Sequence, residues 1–140
     1  MQVLEAMKTH VRCVPGTASL AEAADVMDLY QLRMLPVLDT ESRLIGVIGE
    51  ADIRRAMRSG WNSDVSDALL RGARAALNGP VTDWMAAPAV TAAENEPLAE
   101  AAVRLWACGH DRLPVLSTTG KVTGLLSRMD VIQAVAEGLL

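Results

Sequence analysis

The chain has 140 residues, 51% of them hydrophobic, and a formal net charge of −4. A domain of this size can bury enough apolar surface to fold without disulfides or metals. Its thirteen Lys and Arg residues form no long run, which argues against a nucleic-acid-binding protein. No segment approaches the roughly 20 apolar residues of a membrane helix, so we expect a protein without a membrane partner.

The first half predicts the element order β-α-β-β-α. A short strand is expected at Val11–Val14 and an amphipathic helix at Ala18–Leu32. Two apolar runs, Met34–Leu38 and Leu44–Ile48, are joined by a polar turn and predict a hairpin. A closing helix is expected to begin near Glu50.

Residues 59–79 are predicted to form a docked helical connector rather than a loose linker. Its apolar residues recur at helical spacing, and they are Val65, Ala68, Leu69, Ala73, Ala76 and Leu77. The run Asn78-Gly79-Pro80 is typical of a helix end.

The second half predicts the same order of elements. A strand is expected at Ala89–Thr91 and a helix at Pro97–Cys108, with Pro97 in its first turn. Strands at Leu113–Leu116 and Val122–Leu126 follow, and a closing helix begins near Arg128.

An internal repeat explains this similarity. Shifting the chain by 78 residues places Leu20–Ala24 on Leu98–Ala102 and Leu35–Leu38 on Leu113–Leu116 without a gap. We therefore predict an α/β (α+β) fold of two pseudosymmetric repeats, packed sheet to sheet about a pseudo-twofold axis. The divisions are residues 1–58 for the first repeat, 59–79 for the connector and 80–140 for the second repeat.

The motifs Gly46–Ile53 and Gly124–Val131 close the two hairpins. They resemble the signature of the cystathionine-β-synthase (CBS) domain, whose order is Gly, two aliphatic residues, Thr or Ser, two variable residues, Asp and an aliphatic residue. The resemblance extends over Val3–Met57 and Val81–Glu137. It implies a CBS pair, or Bateman module, which is a regulatory and non-catalytic unit.

The resemblance also implies partners. A CBS pair has two pseudosymmetric clefts between its repeats, and such clefts often bind AMP, ADP, ATP or S-adenosylmethionine as a ligand, so no cofactor is required. Many CBS pairs form homodimers and regulate another protein, which here is an unknown effector.

The two cysteines, Cys13 and Cys108, are far apart and belong to no CxxC motif, so we expect reduced thiols and a cytoplasmic protein.

The resemblance assigns roles in the second repeat. Asp130 matches the aspartate that accepts hydrogen bonds from ribose hydroxyls, Ser127 matches a phosphate contact, and Leu125 matches an aliphatic residue that packs on the base. Arg112 matches a position that is sometimes a basic phosphate ligand. A carboxylate suits a vicinal diol because it offers two acceptor oxygens.

The first repeat departs from the pattern. Asp52 and Val47 match the aspartate and the aliphatic residue, but Gly49 replaces the Thr or Ser, and Met34 stands where the second repeat has Arg112. Arg33 is a further candidate contact beside this strand. We therefore expect the cleft with Asp130 to bind more strongly than the cleft with Asp52.

Each of these residues has a structural alternative. Ser127 and Asp130 also have the spacing of a helix cap, which needs no ligand. Arg54, Arg55 and Arg58 would ordinarily form a solvated helix face, and Arg12 is a weaker ligand candidate. The three tryptophans are expected to be core or interface anchors, and they are Trp61, Trp84 and Trp106.

Two other functions stay open. No catalytic motif or metal-ligand spacing is present in the sequence, so we do not expect an enzyme or a metal site. The chain could be a ligand-free dimerisation or docking module, held by its closing helices near Arg54–Met57 and Gln133–Leu140. It could also be the regulatory fragment of a larger enzyme or transporter.

Overall fold

A computed structural model describes the backbone of residues 1–59 and 66–140, and the side chains of residues 1–59 and 71–140. The chain forms two compact units. The central unit comprises Arg12–Pro88, and the terminal unit combines Met1–Val11 with Ala89–Leu140.

The described elements, in chain order, are α1 (Val3–Ala6), β1 (Val14–Pro15), α2 (Leu20–Tyr30), β2 (Met34–Leu38), β3 (Leu44–Gly49), α3 (Glu50–Ser59), α4 (Ser66–Leu77), a 3-10 turn (Val81–Asp83), β4 (Ala92–Ala93), α5 (Leu98–Ala107), β5 (Arg112–Leu116), β6 (Val122–Ser127) and α6 (Arg128–Ala136). None of the helices in the described ranges is both long and apolar enough to cross a bilayer.

The central unit is built on a three-stranded sheet in the order β1-β2-β3. Strand β1 runs parallel to β2, and β2 runs antiparallel to β3 with Pro36 opposite Val47. Leu20 of α2 packs with Leu35 and Ile48 of the sheet in a core that excludes water. Helix α4 packs against α3 and α2.

The terminal unit repeats this plan with the sheet order β4-β5-β6. Strand β4 is parallel to β5, and β5 is antiparallel to β6 with Pro114 opposite Leu125. Leu98, Leu113 and Leu126 are fully buried in its core. The mixed α/β fold with two equivalent sheets confirms the predicted fold class.

The first residues of each repeat, its leading segment, pack in the core of the other repeat. Val3 is fully buried in the core of the terminal unit, and Val81 is fully buried in the core of the central unit. Lys8 exchanges two backbone hydrogen bonds with Leu125, of 3.0 and 2.9 Å. Helix α1 and the 3-10 turn were not predicted from the sequence, because such short segments carry no periodic pattern.

The two short strands were placed too early. We expected Val11–Val14 and Ala89–Thr91, but the parallel pairs are Val14–Pro15 with Val37–Leu38 and Ala92–Ala93 with Val115–Leu116. A two-residue strand is defined by its pairing with a neighbour rather than by its own apolar pattern, so the sequence could not place it.

Helix boundaries also differ from expectation at two places. Pro97 has extended backbone angles (φ −61°, ψ 133°) and is the N-cap of α5, so it precedes the first turn that we had assigned to it. The connector contains α4 at Ser66–Leu77. The part of the connector prediction at residues 60–65, which includes Val65, lies outside the described residues.

Candidate functional site

Asp130 lies at the start of α6, directly after β6, and its side chain is only 5% exposed. Its Oδ2 accepts a hydrogen bond of 2.8 Å from the backbone N–H of Ser127. The Ser127 hydroxyl in turn accepts one of 3.1 Å from the backbone N–H of Asp130. This reciprocal pair is a capping box, so the predicted helix cap at these two residues is confirmed.

The cap uses only one of the two carboxylate oxygens. Asp130 Oδ1 lies 3.5 Å from Nζ of Lys8, whose side chain is 81% exposed. Capping and ligand binding are therefore compatible, because Oδ1 has a partner that can turn away into solvent. Lys8 could not be predicted from the sequence, because its contact with Asp130 depends on how α1 packs in the terminal unit.

The strand register brings the other candidates of the second repeat to this place. Arg112 begins β5 directly opposite Ser127, the last residue of β6. Leu125 is buried and its backbone pairs with Lys8. The Asp130 carboxylate, the Ser127 hydroxyl and the Lys8 ammonium thus meet at the junction of β6 and α6, and Leu125 and Arg112 lie on the strands beside it. Such a set of acceptors and cations can bind a polyol that carries negative charge.

The equivalent junction in the central unit has a different chemistry. Oδ2 of Asp52 accepts a hydrogen bond of 2.8 Å from the backbone N–H of Gly49. Its Oδ1 is paired with the Arg55 guanidinium at 2.5 Å. The Arg55 guanidinium also lies 5.8 Å from the centroid of the Trp84 ring. Oδ1 of Asp52 is thus paired with a side chain that has a second contact of its own.

The remaining candidates of the first repeat are divided between two surfaces. Met34 stands opposite Gly49 and Val47 opposite Pro36, so both lie on the strands that lead to Asp52. The exposed Arg33 instead lines a groove of about 450 Å³ between α2 and α3, and Asp52 is not among its described lining residues. The groove residues are Ala24, Met27, Asp28, Gln31, Leu32, Arg33, Glu50, Ile53, Arg54 and Met57.

The other singled-out residues have defined environments. The Arg12 guanidinium stacks on Tyr30 at 4.1 Å from the ring centroid. Trp84 packs against the core of the central unit. Trp106 is 49% exposed on α5, where the Arg128 guanidinium lies 5.7 Å from its ring centroid. Trp61 lies outside the described residues.

Comparison with protein families finds one matching model, described as the CBS domain. It matches this chain twice, at residues 3–59 and at residues 81–137. Each match ends with the helix that carries Asp52 or Asp130.

Similar sequences include a small protein and a much longer enzyme. An uncharacterised 17.7 kDa protein of Acidianus ambivalens is 26% identical over 136 residues, which cover 97% of this chain and 74% of the relative. The inosine-5′-monophosphate dehydrogenase of Aquifex aeolicus is 26% identical over 112 residues. That match covers 80% of this chain but only 20% of the enzyme.

Similar solved structures cover nearly the whole chain. CBSX2 in complex with AMP has a TM-score of 0.78 at 23% identity and covers 97% of this chain and 96% of that protein. The CBS domain pair of MJ0100 in complex with 5′-methylthioadenosine and S-adenosyl-L-methionine has a TM-score of 0.79 at 19% identity, and covers 99% and 98%. At these identities the likeness establishes the fold.

Proposed function

Because this chain belongs to the CBS domain family, with one domain in each half, we propose that it is a non-catalytic regulatory module that binds an adenosine-containing ligand. The candidate ligands are AMP, ADP, ATP and S-adenosylmethionine. The observation that carries the proposal is the Asp130 carboxylate, which is buried and capped through one oxygen. Among the residues that the structure describes, its other oxygen is paired only with an exposed lysine.

Each side chain of this site has a role in the proposal. Asp130 accepts hydrogen bonds from the ribose diol, the Ser127 hydroxyl and Arg112 contact the phosphate, and Leu125 packs on the base. The counterparts Asp52, Val47 and Met34 form a weaker site. Arg33, which directly precedes β2 and lines the groove between α2 and α3, is a further contact there. Two structural neighbours crystallised with adenosine compounds support the ligand class.

A thermal-shift experiment tests the ligand proposal. A ligand that binds only the folded chain adds about 2.7 kcal/mol to the free energy of unfolding at a hundredfold excess over Kd. We expect AMP, ATP or S-adenosylmethionine to raise the melting temperature of the wild type and of Asp25→Ala, a control at an exposed position of α2. Asp130→Ala should fold and lose the response. No response of the wild type to any of the three ligands would contradict the proposal.

We propose further that the ligand state is transmitted to a separate effector. The match to a fifth of a dehydrogenase's length supports this, since a segment of this kind accompanies a much larger chain there. We place the module in the cytoplasm because Cys13 and Cys108 are both free thiols, and burial raises the pKa of the Cys13 thiol, which lowers the fraction of reactive thiolate.

A second function, homodimerisation, is favoured by an apolar face on the terminal unit. Val103 of α5 is 71% exposed and Ile132 of α6 is 47% exposed. A groove of about 540 Å³ runs between these helices and is lined by Ala99, Ala102, Trp106, Val131, Ile132, Val135, Ala136 and Leu140. Contiguous apolar surface of this kind marks an interaction site.

The equivalent groove of the central unit shows that the fold does not require this apolar character. Asp28 occupies the position of Trp106, and Arg54 occupies the position of Ile132. Burying the apolar groove against that charged surface would remove water from both charges without pairing them. The apolar face of the terminal unit is therefore best covered by the same face of a second copy.

Charge complementarity supports a twofold arrangement. Helix α6 begins at Arg128 and is followed by Glu137, so its ends carry opposite charges. Antiparallel packing of α6 on its copy would place Arg128 beside Glu137 of the second copy. A twofold interface uses the same patch on both partners and closes after two chains.

Sedimentation at several concentrations tests the dimer. The wild type should sediment as a dimer, and Ile132→Lys should be monomeric because it places a charge in the apolar groove. Arg54→Glu, at the equivalent position of the central unit, should remain dimeric. A monomeric wild type, or a dimer that survives Ile132→Lys, would contradict this interface.

A further inference from the structure

Lys8 combines a fixed backbone with a free side chain. Its N–H and C=O pair with Leu125, at 3.0 and 2.9 Å, so the residue is held against the edge of β6. Its ammonium is exposed and lies 3.5 Å from Asp130 Oδ1. Because the ammonium is exposed, water can solvate it when it leaves Asp130, and an incoming hydroxyl can take its place at the buried Oδ1.

Binding of a ribose diol would displace Lys8. Oδ2 of Asp130 is held by the Ser127 N–H, so an incoming hydroxyl must bind Oδ1. Because its backbone is fixed, the displaced ammonium stays within reach of the ligand. It would then lack an anionic partner unless the ligand supplies one, and the nearest strand neighbour of Ser127 is another cation, Arg112.

The central unit shows what this position looks like without the lysine. Ala86 takes the place of Lys8 and pairs with Val47 through 3.0 and 2.8 Å backbone hydrogen bonds. There the second oxygen of the aspartate is held by Arg55, which also lies over Trp84. Of these two equivalent sites, it is therefore the one in the terminal unit whose aspartate has a cation, Lys8, that a ligand can displace.

We infer that Lys8 selects the charge of the ligand, so that the site with Asp130 prefers an adenosine phosphate to uncharged adenosine or to the cationic S-adenosylmethionine. The inference rests on the proposed function and specifies its ligand class. Lys8 holds Asp130 in the free protein, yields the carboxylate to the ribose, and then binds the phosphate through a charge-assisted hydrogen bond. A sulfonium at the same place would meet a cation.

Calorimetric titration of the Lys8 variants with AMP and with adenosine tests this inference. We expect Lys8→Ala to weaken AMP binding by about tenfold or more, as for the loss of a hydrogen bond to a charged group. Adenosine should bind Lys8→Ala as well as it binds the wild type, or better, because Asp130 is then unpaired. Lys8→Arg should largely restore AMP affinity, and Lys8→Glu should favour S-adenosylmethionine over AMP.

Lys121→Ala is the matched control, since this exposed lysine lies in the turn between β5 and β6 of the same unit. It should change neither titration. If Lys8→Ala weakens the binding of AMP and of adenosine equally, the lysine has a structural role and the inference is overturned. An unchanged AMP affinity in Lys8→Ala would also overturn the inference. In both cases the proposed function stands. If the wild type binds neither compound nor S-adenosylmethionine, the proposed function and this inference both fail.

Discussion

Gly124 and Gly46 are the first residues of the two repeated motifs, and both lie where another segment crosses closely. A Cβ at Gly124 would lie 2.5 Å from Met7 Sδ and 2.7 Å from the Lys8 carbonyl oxygen. At Gly46 the corresponding neighbours are Met85 Sδ at 2.7 Å and the Ala86 oxygen at 2.8 Å. The close packing of the leading segment is thus sufficient reason for the glycine of the motif.

The substitution Gly124→Ala should lower the free energy of unfolding by about 1–3 kcal/mol, because the carbonyl of Lys8 cannot move without breaking its pairing with Leu125. Urea denaturation measures this. Gly49→Ala is the control, since a Cβ there has its nearest neighbour at an ordinary 3.4 Å, and it should change stability by less than about 0.5 kcal/mol. Equal effects of the two changes would show that crowding is not the cause.

The Ser127 hydroxyl caps α6, so Ser127→Ala should cost about 1 kcal/mol of stability with no ligand present. Chemical denaturation of the ligand-free protein measures this loss, with Thr118→Ala in the exposed β5–β6 turn as the control. A stability unchanged by Ser127→Ala would mean that the cap is not formed in solution.

At this scale the sequence predicted residue types better than contacts. The positions of Asp130, Ser127 and Arg112 could be taken from the repeat and the family signature. In the structure, Arg112 of β5 pairs with Ser127 of β6. The partners Lys8 and Arg55 could not be predicted. Lys8 is 122 positions from Asp130 in the sequence, and Arg55 had the pattern of an ordinary solvated helix face.

At the scale of elements, the hairpins were predictable because two apolar runs flank a polar turn, and the longer helices because their apolar residues recur at helical spacing. The two-residue strands and the leading segments were not, since their conformation depends on what they pair with. Val3 is the clearest case, because it belongs to the first repeat by sequence but lies in the core of the terminal unit.

The substitution Val3→Ala should therefore destabilise a part of the protein that is remote in sequence. Loss of its two methyl groups from a fully buried site should cost about 1–3 kcal/mol. Hydrogen exchange should rise within Ala89–Leu140 and stay unchanged within Arg12–Ser59. Val81→Ala should produce the reverse pattern, and faster exchange at Arg12–Ser59 in Val3→Ala would contradict the assignment of α1 to the terminal unit.

At the scale of the whole molecule, the sequence repeats and the compact units do not coincide. The repeats follow one another along the chain, whereas the terminal unit takes segments from both ends. The division into residues 1–58, 59–79 and 80–140 describes similarity of sequence and stays a prediction as a division into domains.

This interleaving predicts that neither half folds alone. A fragment of residues 1–79 lacks Val81, which is buried in the central core, and a fragment of residues 80–140 lacks Val3, which is buried in the terminal core. Circular dichroism should show no cooperative thermal transition for either fragment, and an equimolar mixture should regain one. A cooperative transition in residues 80–140 alone would contradict the prediction.

The exchange of leading segments also bears on how such a chain arose. A polypeptide with a single copy of this repeat would leave its own hairpin glycine uncovered unless the leading segment of a second molecule packed on it. We therefore expect a one-repeat chain with this packing to form an intertwined pair. Duplication and fusion of such a chain would give the arrangement seen here, in which Asp28 and Gly49 of one copy stand where Trp106 and Ser127 stand in the other.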